Sequence, residues 1–255
     1  MIGNSRLHWA WFIEAILQEA WDTDHLPTAT VEELIQQWTV GVMPEEIFPS
    51  LLVSQQLDDP SQIPLYLASV VPEQTKLWQT YSDSDVITLE RVPLLGLYPS
   101  LGIDRALALL GAGETYGYPV LVIDAGTALT FTGADADKQL IGGAILPGLG
   151  LQLKSLAGST AALPAIQLAP KLPPRWAKQT SSAIESGVVY TVLAGIQDFI
   201  NDWRSQFPDT QIALTGGDSR LLLTHLQAQF PHDTYSLMAD PYLIFWGMRS
   251  VLQGE

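Results

Sequence analysis

Val120-Leu121-Val122-Ile123-Asp124-Ala125-Gly126-Thr127-Ala128-Leu129-Thr130 runs a stretch of buried-strand residues straight into an aspartate, a glycine and a hydroxyl. The apolar run suits an interior strand covered on both faces. Gly126 frees the backbone to approach an anion, and Asp124 with Thr127 can bind a cation, a water or a phosphate oxygen. Taken alone, the same letters also describe a hairpin with a turn aspartate.

Two further phrases tilt that choice. The chain opens Ile2-Gly3-Asn4-Ser5-Arg6, small and hydroxylated residues ahead of an alternating strand, so each half holds one glycine-hydroxyl turn and the pair suggests two clamps on one nucleotide. Ile212-Ala213-Leu214-Thr215-Gly216-Gly217-Asp218 again runs an apolar strand into a glycine turn, where a nucleoside could lie on bare backbone. Three such turns in this order resemble the acetate kinase, sugar kinase, Hsp70 and actin superfamily. The resemblance implies an α/β protein of two ribonuclease H-like (actin-like ATPase) lobes, each a mixed sheet flanked by helices. We place the lobes at 1–115 and 116–255, with the boundary in the glycine-rich segment Gly111 to Gly117.

With 255 residues the chain can bury a large core and divide in two. A formal net charge of −15 argues against nucleic acid or an anionic membrane surface as the main partner, so a phosphate must be held locally by backbone N–H groups, a metal ion and a few arginines. The absence of cysteine excludes disulfides, thiolate metal sites and cysteine catalysis. The most apolar stretches are interrupted by Pro, Gly or charge and no signal sequence opens the chain, so a cytoplasmic protein is expected.

Along the chain, residues 5–12 and 17–26 read as antiparallel strands, and Thr30 to Glu33 as a capping box for a helix ending near Trp38. A loop-rich stretch holds Pro44, Pro49 and Pro60. Strand 64–72, helix 73–81, strand 86–92 and a short helix 104–111 follow. The second half is read as strands at 119–124 and 127–133, a glycine-proline crossing at 142–150, a helix over 181–207, a strand at 211–215 and helices over 218–230 and 240–253. The crowded glycines at 111–117 end a helix and precede a strand, the reverse of a dinucleotide fingerprint.

Tyr98-Pro99-Ser100-Leu101-Gly102-Ile103-Asp104-Arg105 places an acid beside a base at the mouth of a helix. The dipole favours Asp104 there, and Arg105 suits a bidentate grip on carboxylate or phosphate. A helix-start aspartate with a solvated arginine is the plainer alternative. With this segment the chain resembles the bacterial type III pantothenate kinases along almost its whole length. Gly3-Asn4-Ser5, Ser69 to Pro72, Gly102 to Arg105, Asp124 to Ala128, Gly142 to Gly148, Leu163-Pro164, Thr180 to Gly187 and Thr215 to Asp218 match that family's motifs in order.

The resemblance implies ATP-dependent phosphorylation of the primary hydroxyl of pantothenate to 4′-phosphopantothenate, the first step toward coenzyme A. It makes Asp104 the general base, with Tyr98, Gly102, Ile103, Arg105 and Thr180 around the substrate. Thr180 would act across a homodimer interface near the active site, although a helix N-cap explains it equally. Gly3, Asn4, Ser5, Arg6, Thr127, Gly216 and Gly217 would hold ATP with magnesium. Asp124 would bind a monovalent cation, potassium or ammonium, which lowers the repulsion between a triphosphate and an acidic chain.

Two departures from the family pattern stand out. The family places an aspartate that helps position metal and phosphate just ahead of Ile2-Gly3; here that residue is Met1, and the strand ahead of it is missing. Either translation starts upstream or the chain begins inside its own phosphate site, and in both cases methionine holds the aspartate's place. The tyrosine sits closer to Gly102 than the family pattern has it, so packing explains Tyr98 as well as substrate contact does. A catalytically silent regulator or nucleotide-binding relative, and a superfamily kinase for another small hydroxy acid, are the competing readings. The eight tryptophans read as core or interface, His8 and His225 as lacking identifiable partners, and Glu114 and Asp83 to Asp85 as solvated loop charge.

Overall fold

The computed structural model describes residues 1–40, 42, 47–49, 63–231 and 237–254. Pro44 and Pro60 of the expected loop-rich stretch lie outside them. The chain forms two compact units, Met1–Val92 with Ser100–Asp104 and Val251–Glu255, and Pro93–Pro99 with Arg105–Ser250.

In the first unit β1 (Leu7–Ile13) and β2 (Ile16–Thr23) form the expected antiparallel hairpin, with Leu7 opposite Thr23 and a register slip between Trp11 and Phe12. Helix α1 (Thr28–Thr39) follows. Its N-cap is Pro27, whose carbonyl accepts the Val31 N–H at 3.1 Å, so the expected capping box from Thr30 lies inside the helix. Next come β3 (Leu65–Leu67), α2 (Pro72–Trp78) and β4 (Ser84–Val86), with β3 and β4 parallel. The strand expected over 64–72 is shorter because Pro72 is already helical, the first-turn place proline tolerates. The one expected over 86–92 ends at Val86, and Leu89–Arg91 coils into a 3₁₀ turn.

Ile2 bridges the two strand pairs, antiparallel to Leu7 and parallel to Ser69. Around it the order is β2, β1, Ile2, β3, β4. Trp9 and Trp21 stack at 5.9 Å between centroids, and Trp78 and Phe48 meet Trp9 edge-on. With Trp38 and Tyr81 they fill this unit's core, which bears out the structural reading of these tryptophans. Trp176, 89 % exposed, lies outside that core.

Helix α3 (Ile103–Tyr116) runs past its expected end at Gly111 and takes in Gly113, a loop residue in that reading. A Cβ on Gly111 would overlap the Leu243 carbonyl oxygen, and one on Gly113 the Tyr118 ring. Close packing, not chain reversal, asks for glycine there. Only Gly117, at φ +96°, plays the cap role.

The second unit is built on β5 (Val120–Ala125), β6 (Ala128–Ala134), β7 (Leu140–Pro147), β8 (Gln211–Thr215) and β9 (Leu237–Ala239), in the order β7-β6-β5-β8-β9. β5, β6 and β7 are antiparallel neighbours, while β5, β8 and β9 are parallel. This is the ribonuclease H-like arrangement the resemblance implies, and the first unit repeats it with Ile2 standing where β5 stands. The expected glycine-proline crossing at 142–150 is instead strand β7 running into helix α4 (Leu149–Ser159). Helices α5 (Thr180–Gln206), α6 (Ser219–Gln229) and α7 (Leu243–Gln253) fall within a few residues of expectation.

Leu193 and Ile196 of α5 are fully buried with Leu121, Ile123 and Leu129 of the sheet, each burial contributing about 2 kcal/mol. Among the described residues α5 is the one helix long and apolar enough to cross a membrane, and half of its most apolar stretch is buried in this core.

Candidate active site

β5 ends at Asp124 and Ala125, and the chain reverses through Gly126 and Thr127 into β6, with the Gly126 N–H donating to the Ala128 carbonyl at 3.0 Å. Two more loops close on this turn. Gly148 donates to the Thr127 carbonyl at 3.0 Å, and a Cβ on Gly148 would overlap the carbonyl oxygen of Gly126. From the end of β8, Gly216 at φ +86° lies so near that a Cβ would overlap Asp124 Oδ1 and approach the Ala125 carbonyl carbon to 2.6 Å. The Asp218 N–H then donates to the Ala125 carbonyl at 2.9 Å. Asp124, Thr127 and Gly216, 92 residues apart at the extremes, are thereby gathered at the end of two parallel strands, where open α/β sheets bind ligands.

Gly126 and Gly217 differ from Gly216. A Cβ on Gly126 would meet only ordinary contacts, 3.6 Å from Asp124 Oδ1, and one on Gly217 would meet nothing within 4 Å. The fold does not require glycine at either place, so the bare backbone leaves room for a ligand. Asp218 caps α6 without a side-chain bond, and burial raises its carboxyl above the ordinary value.

The first turn has the same construction in the first unit. Gly3 donates to the Arg6 carbonyl at 3.0 Å, and Ile2 is antiparallel to Leu7 on one side and parallel to Ser69 on the other. Ala125 is antiparallel to Leu129, and its neighbour Asp124 is parallel to Thr215. On the antiparallel side Ile2 takes the place of Ala125, which sets Met1-Ile2-Gly3 beside Asp124-Ala125-Gly126, and Met1, 8 % exposed, stands where the second turn carries its carboxylate. Asn4, Ser5 and Arg6 are exposed. His25 Nε2 lies 2.9 Å from the Gly3 carbonyl, and His8, which we expected to lack a partner, pairs through Nδ1 with Asp22 Oδ1 at 2.7 Å.

Gly102, Ile103 and Asp104 open α3 in the first unit. A Cβ on Gly102 would overlap Asp104 Oδ1, so the glycine lets this carboxylate fold back over its own turn. Arg105 is not the solvated arginine of the plainer reading. It is 8 % exposed, donating from Nε to Thr132 Oγ1 at 3.0 Å, from Nη2 to the Phe131 carbonyl at 3.0 Å and from Nη1 to the Tyr98 hydroxyl at 3.1 Å. Tyr98 and Arg105 thus come together, with Tyr98 itself 41 % exposed.

Thr180 is the exposed first residue of α5. Gln179, not Thr180, is the N-cap, which removes the alternative explanation for the threonine. Gly3 to Arg6 and Asp104 belong to the first unit; Asp124, Thr127, Thr180, Gly216 and Gly217 belong to the second.

Thr132 and Gly148 escaped sequence reasoning as site supports. Thr132 looks like any inward strand residue, whereas Gly148 had a signal in the glycine-proline spacing. Glu114 is not simply solvated, since its Oε1 lies 2.7 Å from Lys138 Nζ, and Asp85 pairs with Arg91 at 2.9 Å. No group of three or more acidic or histidine side chains suited to a metal ion occurs among the described residues, so a cation near Asp124 would draw further oxygens from phosphate, backbone or water.

The type III pantothenate kinase family model matches residues 2–202. A type III pantothenate kinase of Nostoc sp. strain PCC 7120 is 51 % identical over 258 residues, covering 99 % of this chain and 93 % of its own length. The one from Synechocystis sp. strain PCC 6803 is 46 % identical over 257 residues, covering 100 % and 90 %. Among solved structures, a Campylobacter jejuni protein described as a Baf family transcriptional activator superposes with a TM-score of 0.62 at 20 % identity, over 99 % of this chain and 96 % of that one, a likeness of fold. With the family model spanning most of the chain and relatives matching over nearly all of it, this protein belongs to the type III pantothenate kinase family.

Proposed function

We infer that this chain transfers the γ-phosphoryl group of ATP to the primary hydroxyl of pantothenate, giving 4′-phosphopantothenate at the entry to coenzyme A synthesis. The observation that carries this is the full-length match to kinases of that name, in a chain that keeps Gly102-Ile103-Asp104-Arg105 at the mouth of α3.

Asp104 accepts the hydroxyl proton as the phosphoryl group arrives, a loose in-line transfer that asks for positioning more than for covalent help. Tyr98, Gly102, Ile103 and Arg105 hold the substrate, with Thr180 contributed by the second copy of a homodimer. An exposed apolar face supports that dimer: Ile145 and Phe199 are 65 % and 42 % exposed, beside a groove of about 290 Å³ lined by Leu146, Val192, Ile196 and Phe199. Gly3, Asn4, Ser5 and Arg6 form one phosphate turn. Thr127 contacts phosphate at the other, and the Gly216-Gly217 backbone carries the nucleoside.

Magnesium bound with the nucleotide would supply charge neutralisation at the phosphates. The Asp124 carboxylate, seated against Gly216 at the strand end, suits a monovalent cation, potassium or ammonium. The same reading places the enzyme in the cytoplasm, where both substrates are found. A slow or silent relative is the second reading, favoured by Met1 in the place of a carboxylate.

Asp104→Asn tests the chemistry. The variant should lose transfer by about 10²- to 10⁴-fold while binding ATP as the parent does. Normal turnover by it would remove Asp104 as the base.

A further inference from the structure

Arg105 lies across the β6–β7 ladder, and what surrounds it holds more than its charge. Its Nε donates to Thr132 Oγ1, and its Nη2 donates to the carbonyl of the neighbouring Phe131. Thr132 is 2 % exposed and faces Gly143 across the ladder. A Cβ on Gly143 would overlap both Arg105 Nη2 and the Phe131 carbonyl oxygen, so only glycine leaves the guanidinium its place. The Tyr98 hydroxyl accepts from Nη1 on the more exposed side. Acceptors on Nε, Nη1 and Nη2 fix the plane of the guanidinium and its rotation, which a single ion pair would not do. Desolvating a guanidinium costs several kcal/mol, and a sheet that needed only packing would do as well with an apolar side chain.

We propose that Thr132 and Gly143 are positioning residues for the acidic end of the substrate: they set the orientation of Arg105, which in turn meets the pantothenate carboxylate. This rests on the kinase reading above. Thr132 touches neither substrate nor nucleotide in this scheme and acts only through the arginine.

Thr132→Val keeps the shape and removes the acceptor, and Thr132→Ser restores it. Steady-state kinetics on the full chain should show a pantothenate KM raised about tenfold in Thr132→Val, the scale of one lost charge-assisted hydrogen bond. The ATP KM should stay within about twofold of the parent and Thr132→Ser should behave as the parent. With the primary amide of pantothenic acid in place of the carboxylate, parent and Thr132→Val should become equal within about twofold. Thr132→Ala removes the same acceptor with less bulk and should raise the pantothenate KM in the same direction, so it decides the matter if Thr132→Val does not fold. An unchanged pantothenate KM in these variants, or an equal loss with the amide, overturns the proposal while leaving the kinase reading intact. A parent chain that does not phosphorylate pantothenate overturns both.

Discussion

Replacing Gly216 and Gly217 by alanine, one at a time, separates what the fold needs from what the nucleotide needs. Gly216 holds φ at +86°, a left-handed conformation that costs an L-residue about 1–2 kcal/mol. Its new methyl would also approach the carbonyl carbon and oxygen of Ala125 to 2.6 Å and overlap Asp124 Oδ1. Backbone held between β6 and β8 cannot retreat without breaking its ladder bonds, so the overlap adds about 1–3 kcal/mol. Gly216→Ala should therefore lose about 2–5 kcal/mol of stability, a large share of a typical domain's total. Gly217 has open space and no positive φ, so alanine there should be neutral or gain about 0.4–1 kcal/mol through the unfolded chain. Urea unfolding should show a lower midpoint for Gly216→Ala at unchanged slope and no loss for Gly217→Ala. Titration with ATP should show weakened binding in both, because in the proposed site the methyl on residue 217 takes up the space given to the nucleoside. Gly217→Ala with parental ATP affinity would refute that placement of the nucleoside, and Gly216→Ala with parental stability would refute the loop geometry.

Arg105→Ala should raise the pantothenate KM more than the ATP KM, by about tenfold or more, and Arg105→Lys should recover little because one ammonium cannot reproduce three oriented donors; steady-state kinetics decide both. Replacing potassium by sodium should slow the parent, and Asp124→Asn should remove the difference between the two ions, as ADP release in each salt will show. Gly111→Ala should destabilise despite alanine's better helix propensity, because its methyl meets the Leu243 carbonyl; a thermal midpoint at or above the parent's would contradict that packing. Burial holds the His225 imidazole below its ordinary pKa, against a smaller opposing pull from Glu185. Below about pH 6.5 the unfolded chain therefore takes up a proton that the folded chain resists, and stability falls as pH drops through that range. His225→Leu should flatten that part of the stability profile measured by urea unfolding.

The β5 turn was legible because its chemistry and its fold agree: a run buried on both faces stops where polar residues begin, and the strand bounds fall within a residue of those read from the letters. The long helix α5 was legible for the same reason, its apolar period supplying eight of its ten buried positions. What stayed hidden was decided by partners far away in sequence. Gly111 reads as the end of a helix until the backbone of α7 is seen against it. Gly142-Gly143 reads as a crossing, yet Gly143 is a strand residue stripped of its side chain to admit a guanidinium from 38 residues earlier. Arg105 itself was read as a grip on the substrate, while its setting on Thr132 and Phe131 could not be inferred from local spacing. The match between Met1 and Asp124 needed the strand pairings of both units.

The most direct measurement is ADP release by the purified chain with magnesium and potassium, with and without pantothenate, together with the mass of the organic product. Pantothenate should be required, and each ADP should be matched by one 4′-phosphopantothenate. ATP bound but not consumed when pantothenate is added would contradict the kinase assignment and leave a nucleotide-binding relative whose first phosphate turn has lost its carboxylate at Met1.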